Sequence, residues 1–328
     1  MSKLGKKQKK LFDIEKWPSI LVQDMIEHDR LVAQHYILRQ AFGSDYHAPI
    51  HSLLNSTSDL QKKNRSSLES LHQQQQQKNN SIQEDVVVLD IGCGLGQWTM
   101  EMSTLYPNTT FIGIDILANF PKDIKPKNCH FRQMDIRQLP LPFPDNSVDF
   151  IYQRDLNWAL SQHDWHPLML EYMRILKPGG WIELVEQDLE TKSSLEKECA
   201  MNDLILHGFT LRNQDPFAAR QLPSILAIHG FRRVSSHFQS LPLGWRHQED
   251  EDEEEDHLNN GYTSNYVTLG QAVASQYIFF LRSIGPWLRL VMGLSPAKYI
   301  KYVEQLPLEW EVAKTYVNWH CATAQKPF

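Results

Sequence analysis

The sequence predicts an α/β fold with a doubly wound, mostly parallel sheet and helices on both faces. From residue 86 onward, strand-like and helix-like segments alternate at roughly 20-residue spacing, which is typical of stacked β–α units. The first strand segment runs directly into a glycine-rich turn at residues 92–96, and an aspartate ends each of the first three strands. Because the carboxyl ends of parallel strands line one crevice, these observations also locate a ligand site.

Each element has its own sequence signal. Short apolar runs predict strands near 86–91, 110–115, 129–134, 148–153 and 179–186, with two edge strands at 230–234 and 317–322. Apolar residues near a 3.6-residue period predict an amphipathic helix at about 24–42. Further helices are expected near 265–284 and 295–312. Lys177-Pro178-Gly179-Gly180 should end a helix that begins near Asp164, because glycine supplies the positive φ of a helix end.

Changes in composition divide the chain into three parts. Residues 1–50 are expected to form an N-terminal helical segment. Residues 51–84 are rich in Ser, Asn, Lys and Gln and hold too few apolar residues to order themselves, so they are expected to form a disordered insertion. Residues 85–328 form the α/β domain, with an acidic, disordered loop at 247–261. Eight consecutive acids at 249–256 predict a solvated loop, and binding of a basic partner is the alternative.

Charge and cysteine usage exclude several classes of protein. The net charge is −6, but the residues outside the acidic run sum to +2, which does not suggest a nucleic-acid-binding surface. The four cysteines are scattered and form no C-x-x-C pair, so a reducing compartment is expected, without a zinc cluster or disulfide framework.

The N-terminus predicts no export. It is rich in lysine and lacks the apolar segment of a signal peptide, and no 18-residue apolar run occurs in the chain. We therefore expect no membrane association and a cytoplasmic or nuclear location. The lysines fit a solvated terminus, with a nuclear-import patch as the alternative.

Three aspartates stand at matched places, at the ends of the first three strands. Asp90, Asp115 and Asp135 follow one another at spacings of 25 and 20 residues, so they should converge on one crevice. A carboxylate at the end of the second strand suits a ribose, because it can accept hydrogen bonds from both vicinal hydroxyls. Asp115 is therefore the expected ribose ligand. The glycines of the turn allow a ligand to approach the backbone and the N–H groups of the following helix.

The glycine spacing separates two classes of cofactor. A dinucleotide site has the pattern G-x-G-x-x-G, whereas here the glycines fall at 92, 94 and 96 and Gln97 occupies the third position of that pattern. Asp90 would also repel a pyrophosphate, but it could pair, directly or through water, with the ammonium of an amino-acid-bearing nucleoside. A nicotinamide-dependent oxidoreductase is therefore disfavoured.

At these residues the sequence resembles the class I S-adenosylmethionine (SAM)-dependent methyltransferases. The resemblance rests on Asp90 to Gly96, Asp115, Met134-Asp135-Ile136 and Leu176 to Gly180. Over nearly the whole chain the sequence resembles the LaeA-like fungal methyltransferases, in segments 29–35, 147–154, 241–245 and 325–327. The resemblance implies a Rossmann-like, seven-stranded sheet with an antiparallel edge strand, and SAM as the cofactor.

The resemblance also implies a role for each site residue. The loop from Asp90 to Gly96 would hold the methionine moiety, Asp115 the ribose, and Asp135 with Ile136 the adenine. Arg154 would line the pocket floor near the transferred methyl group, and the first helix would cover the site with Arg30, Gln34 and His35. The expected cofactor-binding residues are Asp90, Gly92, Cys93, Gly94, Gly96, Asp115, Ile116, Met134, Asp135, Ile136 and Arg154. Cys93 and Leu95 stand where the family usually has small or polar residues. Neither should abolish cofactor binding, because the loop binds mostly through its backbone.

The sequence assigns no catalytic residue. Methyl transfer from a sulfonium is a direct displacement, so the protein mainly aligns the reactants. An acceptor that must lose a proton would need a base, for which His35, Asp155 and His163 are the candidates, although His35 fits a packed, hydrogen-bonded histidine better. His163 and His166 lack a third ligand, so no metal site is expected.

The expected function is transfer of a methyl group from SAM to a small-molecule or protein acceptor. A nucleic-acid acceptor is not expected, because Gln153-Arg154-Asp155-Leu156 stands where exocyclic-amino methyltransferases resemble one another in an Asn/Asp-Pro-Pro-Tyr/Phe sequence. The alternative is a SAM-binding regulatory protein of secondary metabolism with weak or no catalysis. In that case the Ser/Gln-rich segment and the acidic loop would contact a regulatory protein partner.

Overall fold

A seven-stranded sheet forms the centre of the structure, a computed structural model that describes residue 12 and residues 20–55, 86–245 and 267–328. The strand order is β3-β2-β1-β4-β5-β7-β6. The strands are β1 (Val87–Ile91), β2 (Thr110–Asp115), β3 (Cys129–Gln133), β4 (Val148–Arg154), β5 (Leu176–Gln187), β6 (Arg232–Pro242) and β7 (Tyr316–Gln325).

The first five strands are parallel, with β1 in the centre, where Leu89 lies opposite Ile112 of β2 and Ile151 of β4. Strand β7 runs antiparallel to both β5 and β6. This is the mostly parallel, seven-stranded sheet that the family resemblance implies. The predicted antiparallel strand is β7, which the structure places next to the outermost strand, β6.

Helices cover both faces of the sheet. They are α1 (Met25–Phe42), α2 (Gln97–Leu105), α3 (Trp165–Ile175), α4 (Glu196–Leu211), α5 (Ala218–Ile228), α6 (Leu269–Ser283), α7 (Gly285–Val291) and α8 (Pro296–Ala313). Their starts follow the capping residues: Asp24 accepts a hydrogen bond from the Glu27 N–H, and Ser295 precedes Pro296 at the first position of α8. No helix in the described ranges is both long and apolar enough to cross a membrane.

Two apolar cores explain why the first strand is apolar on both faces. Val88 belongs to one core, together with side chains of α4, α6 and α8, and Leu89 to the other, together with side chains of α3 and α5. Helix α1 packs against α6 on the first of these faces. The alternation of neighbouring strand residues between two buried faces is typical of a doubly wound sheet.

The folded N-terminal segment extends beyond residue 50, its predicted end. Residues 51–55 are helical and Leu54 is buried, so these first five residues of the predicted disordered insertion pack against the fold. The sequence signal missed them because Leu53 and Leu54 are isolated apolar residues in a polar stretch. Residues 56–84 of that insertion and the predicted acidic loop 247–261 lie outside the described residues.

Candidate functional site

The glycine-rich turn lies between the end of β1 and the start of α2, at the carboxyl edge of the sheet. Gly92, Gly94 and Gly96 all have positive φ, between +54° and +77°. A Cβ on Gly92 would approach the Leu156 side chain to 2.6 Å, and one on Gly96 would approach Phe131 to 2.4 Å. A Cβ on Gly94 would meet no atom within 4 Å. Gly94 therefore leaves open space beside the backbone, which a ligand can occupy.

Asp115 joins this turn to the end of β2. One carboxylate oxygen, Oδ2, accepts a hydrogen bond from the Gly94 N–H at 2.9 Å, and Oδ1 accepts one from the Leu117 N–H at 2.8 Å. Burial raises the pKa of Asp115, and the N–H donors oppose that effect. Each oxygen keeps a second lone pair, so Asp115 can still accept hydrogen bonds from a ligand.

Asp90 lies deeper, within β1. It is buried, and its Oδ2 accepts a hydrogen bond from the Thr99 hydroxyl at 2.5 Å. Burial raises the pKa of Asp90 to about 6, while the Thr99 hydrogen bond and the positive charge of Arg154 act in the opposite direction. A cationic ligand group beside Asp90 would favour the charged carboxylate.

Arg154 ends β4 and is held by a chain of hydrogen bonds that starts on α2. Its Nη2 lies 3.2 Å from Nδ1 of His35, and Nε2 of His35 lies 2.9 Å from Oε2 of Glu101. Arginine and carboxylate fix the histidine tautomer: Nε2–H donates to Glu101 and Nδ1 accepts from Arg154. Burial, followed by the charge of Arg154, lowers the pKa of His35. His35 is thus a positioning residue with both ring nitrogens occupied.

Asp155 is held by α1 in a similar way. Its Oδ2 accepts a hydrogen bond from Gln34 Nε2 at 2.8 Å, and its Oδ1 accepts one from Trp158 Nε1 at 2.9 Å. The Gln34 carbonyl oxygen in turn accepts hydrogen bonds from Arg30 and Gln276. Helix α1 therefore forms one wall of the site through buried polar contacts, which connect it to the loop after β4 and to α6.

These side chains surround a cleft of about 200 Å³, and a smaller cavity of about 70 Å³ shares part of its lining. Predicted residues that line the cleft are Asp90, Gly92, Cys93, Gly94, Asp115, Ile116, Arg154 and Asp155. Those that line the smaller cavity are Gly92, Asp115, Ile116, Met134, Asp135 and Ile136. The structure thus brings nearly the whole predicted set into one connected space.

The remaining predicted residues lie outside that space. Gly96 is buried behind the turn, and His35 lines a separate small cavity that it shares with Arg154. His163 is exposed and lines neither cavity. Burial raises the pKa of the Cys93 thiol, so Cys93 is a neutral group in the wall.

Asp135 differs from the other two aspartates because a neighbour binds its carboxylate. Arg137 Nε and Nη2 lie 3.0 and 2.9 Å from the two carboxylate oxygens, and the Arg137 side-chain hydrogen bond is the main cause of the lowered pKa of Asp135. The adjacent Ile116, Met134 and Ile136 supply an apolar lining to the smaller cavity. Apolar contact rather than the Asp135 carboxylate is therefore the main feature of this end of the site.

Sequence reasoning missed His28, Thr99 and Glu101. His28 lies on α1 and lines the cleft, and its buried Nε2 has no hydrogen-bond partner within the described part of the chain. The buried polar residues of α1 fall one turn apart, at 27, 30 and 34, and this spacing is the signal that could have indicated a polar, site-facing stripe. Glu101 carries no such signal, because three of its hydrogen-bond partners, His35, Tyr36 and Arg39, are on α1, and only Gln97 is on its own helix.

The two cavities with shared lining offer three chemical environments. Asp90 and Arg154 place opposite charges at one end, Asp115 offers carboxylate oxygens in the middle, and apolar side chains line the far end. This order suits an elongated ligand with an amino-acid end, vicinal hydroxyls and a flat, weakly polar ring.

Residues 88–180 match the family described as "Methyltransferase domain". The chain is similar to the "Secondary metabolism regulator laeA" of Aspergillus niger, at 29% identity over 57% of this chain and 51% of that protein. It is also similar to the "Protein-methionine methyltransferase laeA" of Emericella nidulans, at 28% identity over 49% of this chain and 44% of that protein. The chain therefore spans about half the length of these curated relatives.

Among solved structures, the chain is similar to a SAM-dependent methyltransferase from Archaeoglobus fulgidus. The identity is 19% and the TM-score is 0.42, over 74% of this chain and 86% of that chain.

Proposed function

We propose that this chain, a LaeA-like protein with a class I methyltransferase domain, binds SAM in the cleft and transfers its methyl group to an acceptor. The observation that carries the proposal is the hydrogen bond between Asp115 and Gly94, which joins the expected ribose ligand to the glycine turn. A ribose bound by Asp115 would then lie beside the open space at Gly94.

The rest of the lining fits the same cofactor. Asp90 and Arg154 together complement an ammonium and a carboxylate, so we assign both residues to the amino-acid end of SAM. The apolar lining by Ile116, Met134 and Ile136 suits the adenine ring. When bound, SAM supplies an electrophilic methyl group on a positively charged sulfur.

The protein's part in the reaction is mainly alignment. The Asp115 carboxylate is fixed by two backbone N–H groups, and Arg154 is fixed by His35, so neither side chain has to be ordered when a ligand binds. A preorganised site of this kind lowers the entropic cost of bringing two reactants together. His35 is not free to remove a proton, because both of its ring nitrogens are already hydrogen-bonded, and the Asp155 carboxylate is held in place by Gln34 and Trp158.

We propose a thioether of a protein side chain as the acceptor, since a thioether has no proton to lose. The lining of the cleft includes the apolar side chains of Leu21, Leu31, Val32 and Trp158, which suit an apolar acceptor. The name of the E. nidulans relative, a protein-methionine methyltransferase, agrees with this chemistry. A small-molecule acceptor is the other possibility that the cleft admits.

A second function is a SAM-binding regulator of secondary metabolism with weak or no catalysis. It is favoured by the name of the A. niger relative. In this proposal the segments at 51–84 and 247–261 bind a regulatory protein, and the protein acts in the cytoplasm or the nucleus. In both proposals residues 1–50 form a lid segment, and residues 85–328 form the cofactor-binding domain.

Two measurements test these proposals. Thermal unfolding with SAM and with NAD should give stabilisation by SAM alone, growing as RT ln(1 + [L]/Kd). A shift with NAD and none with SAM would remove the cofactor assignment. Incubation with methyl-labelled SAM and a cell extract, with Asp115→Ala as the binding-deficient control, should give label on methionine of a protein. Tight SAM binding without any transferred label would favour the regulator.

A further inference from the structure

Three side chains with metal-binding atoms meet on the sheet face that carries α1, where the loop after α1 crosses the last three strands, and a fourth, Glu183, contacts two of them. His47 is in that loop, Glu183 is on β5, His237 on β6 and Cys321 on β7. Candidate ligand atoms of His47, His237 and Cys321 all lie within 4.8 Å of one another. His237 and Cys321 are directly paired across β6 and β7, so the register of the sheet fixes their proximity.

The three distances among His47, Glu183 and Cys321 agree with those between ligands of a tetrahedral metal ion. Nδ1 of His47 lies 3.4 Å from Oε1 of Glu183 and 3.8 Å from Sγ of Cys321, and that Sγ lies 3.7 Å from the same Oε1. With bonds of about 2.0 Å from zinc to nitrogen or oxygen and about 2.3 Å to sulfur, tetrahedral geometry places ligand atoms about 3.3 to 3.6 Å apart. Shifts of a few tenths of an ångström would therefore place these three atoms around one ion.

Other hydrogen bonds already orient two of these side chains. Nε2 of His47 lies 3.3 Å from the Phe42 carbonyl oxygen, and a hydrogen bond there leaves the Nδ1 lone pair facing the cluster. Oε2 of Glu183 accepts hydrogen bonds from the N–H groups of His47 and Ala48, at 2.7 and 2.8 Å, and Oε1 faces the cluster. Carbonyl and N–H partners of this kind orient the ligands of protein metal sites.

The other two side chains have unused binding capacity. Nε2 of His237 is buried and has no hydrogen-bond partner in the described part of the chain. Cys321 is buried and unpaired by a disulfide. A thiolate and a carboxylate would balance the charge of a divalent ion, so the loaded site would be neutral, which a buried position requires.

A neighbouring cluster with similar residue types lacks this arrangement. His35, Asp45 and Glu101 also lie within the same limit of one another, but Arg39 pairs with both acids, at 3.3 and 3.0 Å. The positive charge of Arg39 at that place would repel a metal ion. Among the described residues, Glu183 forms an ion pair with His47 alone.

We propose that His47, Glu183, His237 and Cys321 form a zinc site. Thiolate, imidazole and carboxylate are the ligands that zinc takes in proteins, and the four-ligand set is that of a closed, structural site. The ion would fasten the segment after α1 to β5, β6 and β7. Because α1 carries the Gln34 and His35 that hold the cleft wall, zinc would also stabilise that wall.

The test is metal binding by the full chain, prepared without a histidine tag. Protein stripped with EDTA, reloaded with zinc sulfate and desalted should retain one zinc per chain by mass spectrometry of the metal. Cys321→Ser should lower zinc affinity by roughly tenfold or more, whereas Cys199→Ser, at an exposed and unpaired thiol, should bind zinc as the wild type does. Cobalt in place of zinc should give a thiolate-to-metal charge-transfer band that Cys321→Ser abolishes.

Further outcomes decide against the proposal. It is overturned if the wild-type chain retains no zinc or shows no thiolate band with cobalt. It is also overturned if His166→Gln, which removes an exposed histidine pair with His229, loses the zinc while Cys321→Ser keeps it. If circular dichroism shows that Cys321→Ser does not fold, His237→Gln replaces it, because His237 is half-exposed on the edge strand. Unchanged zinc affinity in His237→Gln would also overturn the proposal.

Discussion

Asp115 and Gly94 are 21 residues apart in the chain, yet the carboxylate of one accepts a 2.9 Å hydrogen bond from the backbone N–H of the other. This contact closes the loop after β1 onto the end of β2. It makes Asp115 a support for the turn in addition to the ribose ligand that we propose. Loss of its carboxylate should therefore affect binding through two routes.

Asp115→Ala should weaken SAM binding by about 1 to 3 kcal/mol, or roughly 5- to 150-fold in Kd, because charge-assisted hydrogen bonds are lost. Isothermal titration calorimetry measures this change. Asp123→Ala, at an exposed acid of the same connection between β2 and β3, is the matched control and should bind SAM normally. Unchanged affinity in Asp115→Ala would remove Asp115 from the site.

Gly94→Ala should separate binding from stability. The added methyl group meets no protein atom, but it occupies the space beside the backbone that the cofactor would take. An alanine at positive φ lowers the free energy of unfolding by about 1 to 2 kcal/mol, wherever in the chain it stands. Gly293→Ala, with φ of +68° and equally open surroundings, is the control. Both variants should lose a similar few degrees of melting temperature, and only Gly94→Ala should lose SAM binding. Equal affinities in the two would refute a close approach at Gly94.

SAM affinity should fall in mild acid because of Asp90. The free protein has an Asp90 pKa of about 6, raised by burial, and an ammonium beside the carboxylate favours its charged form. Binding is then linked to release of a proton below pH 6, so Kd should rise by up to about tenfold per pH unit on going from pH 6 to pH 5 and stay level above pH 7. Titrations from pH 5 to 7.5 measure this slope. Asp90→Asn should bind weakly with a flat profile, and a flat wild-type profile would contradict the assignment.

His28→Ala tests the acceptor. His28 lines the cleft, and its Nε2 has no hydrogen-bond partner among the described residues, so it is the residue placed to take a proton from a protic acceptor. For a thioether acceptor no proton is lost, and kcat for methionine methylation should stay within about threefold of the wild type. A fall of roughly 100-fold or more, relieved by raising the pH, would instead identify an acceptor that must be deprotonated. His130→Ala, a histidine on β3 whose position is exposed, is the control.

Local sequence signals determined the first half of the sheet and the outline of the cleft. These signals are the apolar runs, the glycine turn and the aspartates at strand ends. They depend on periodicity and on steric contacts between residues close in the chain, so the sequence alone reveals them. The β–α unit of β1, α2 and β2 then makes these two strands parallel neighbours, so Asp90, Asp115 and the glycine turn could be placed together before any contact was known.

Tertiary structure decided what each polar group does there. Arg137 binds the Asp135 carboxylate, and Glu101 and Arg154 occupy both ring nitrogens of His35, which is the packed, hydrogen-bonded histidine that the sequence favoured over a base. The cluster of His47, Glu183, His237 and Cys321 had no sequence signal, because its ligands come from four separate segments and meet only through strand register. Periodicity fixes where a strand ends, whereas a side chain's partner depends on distances across the folded chain.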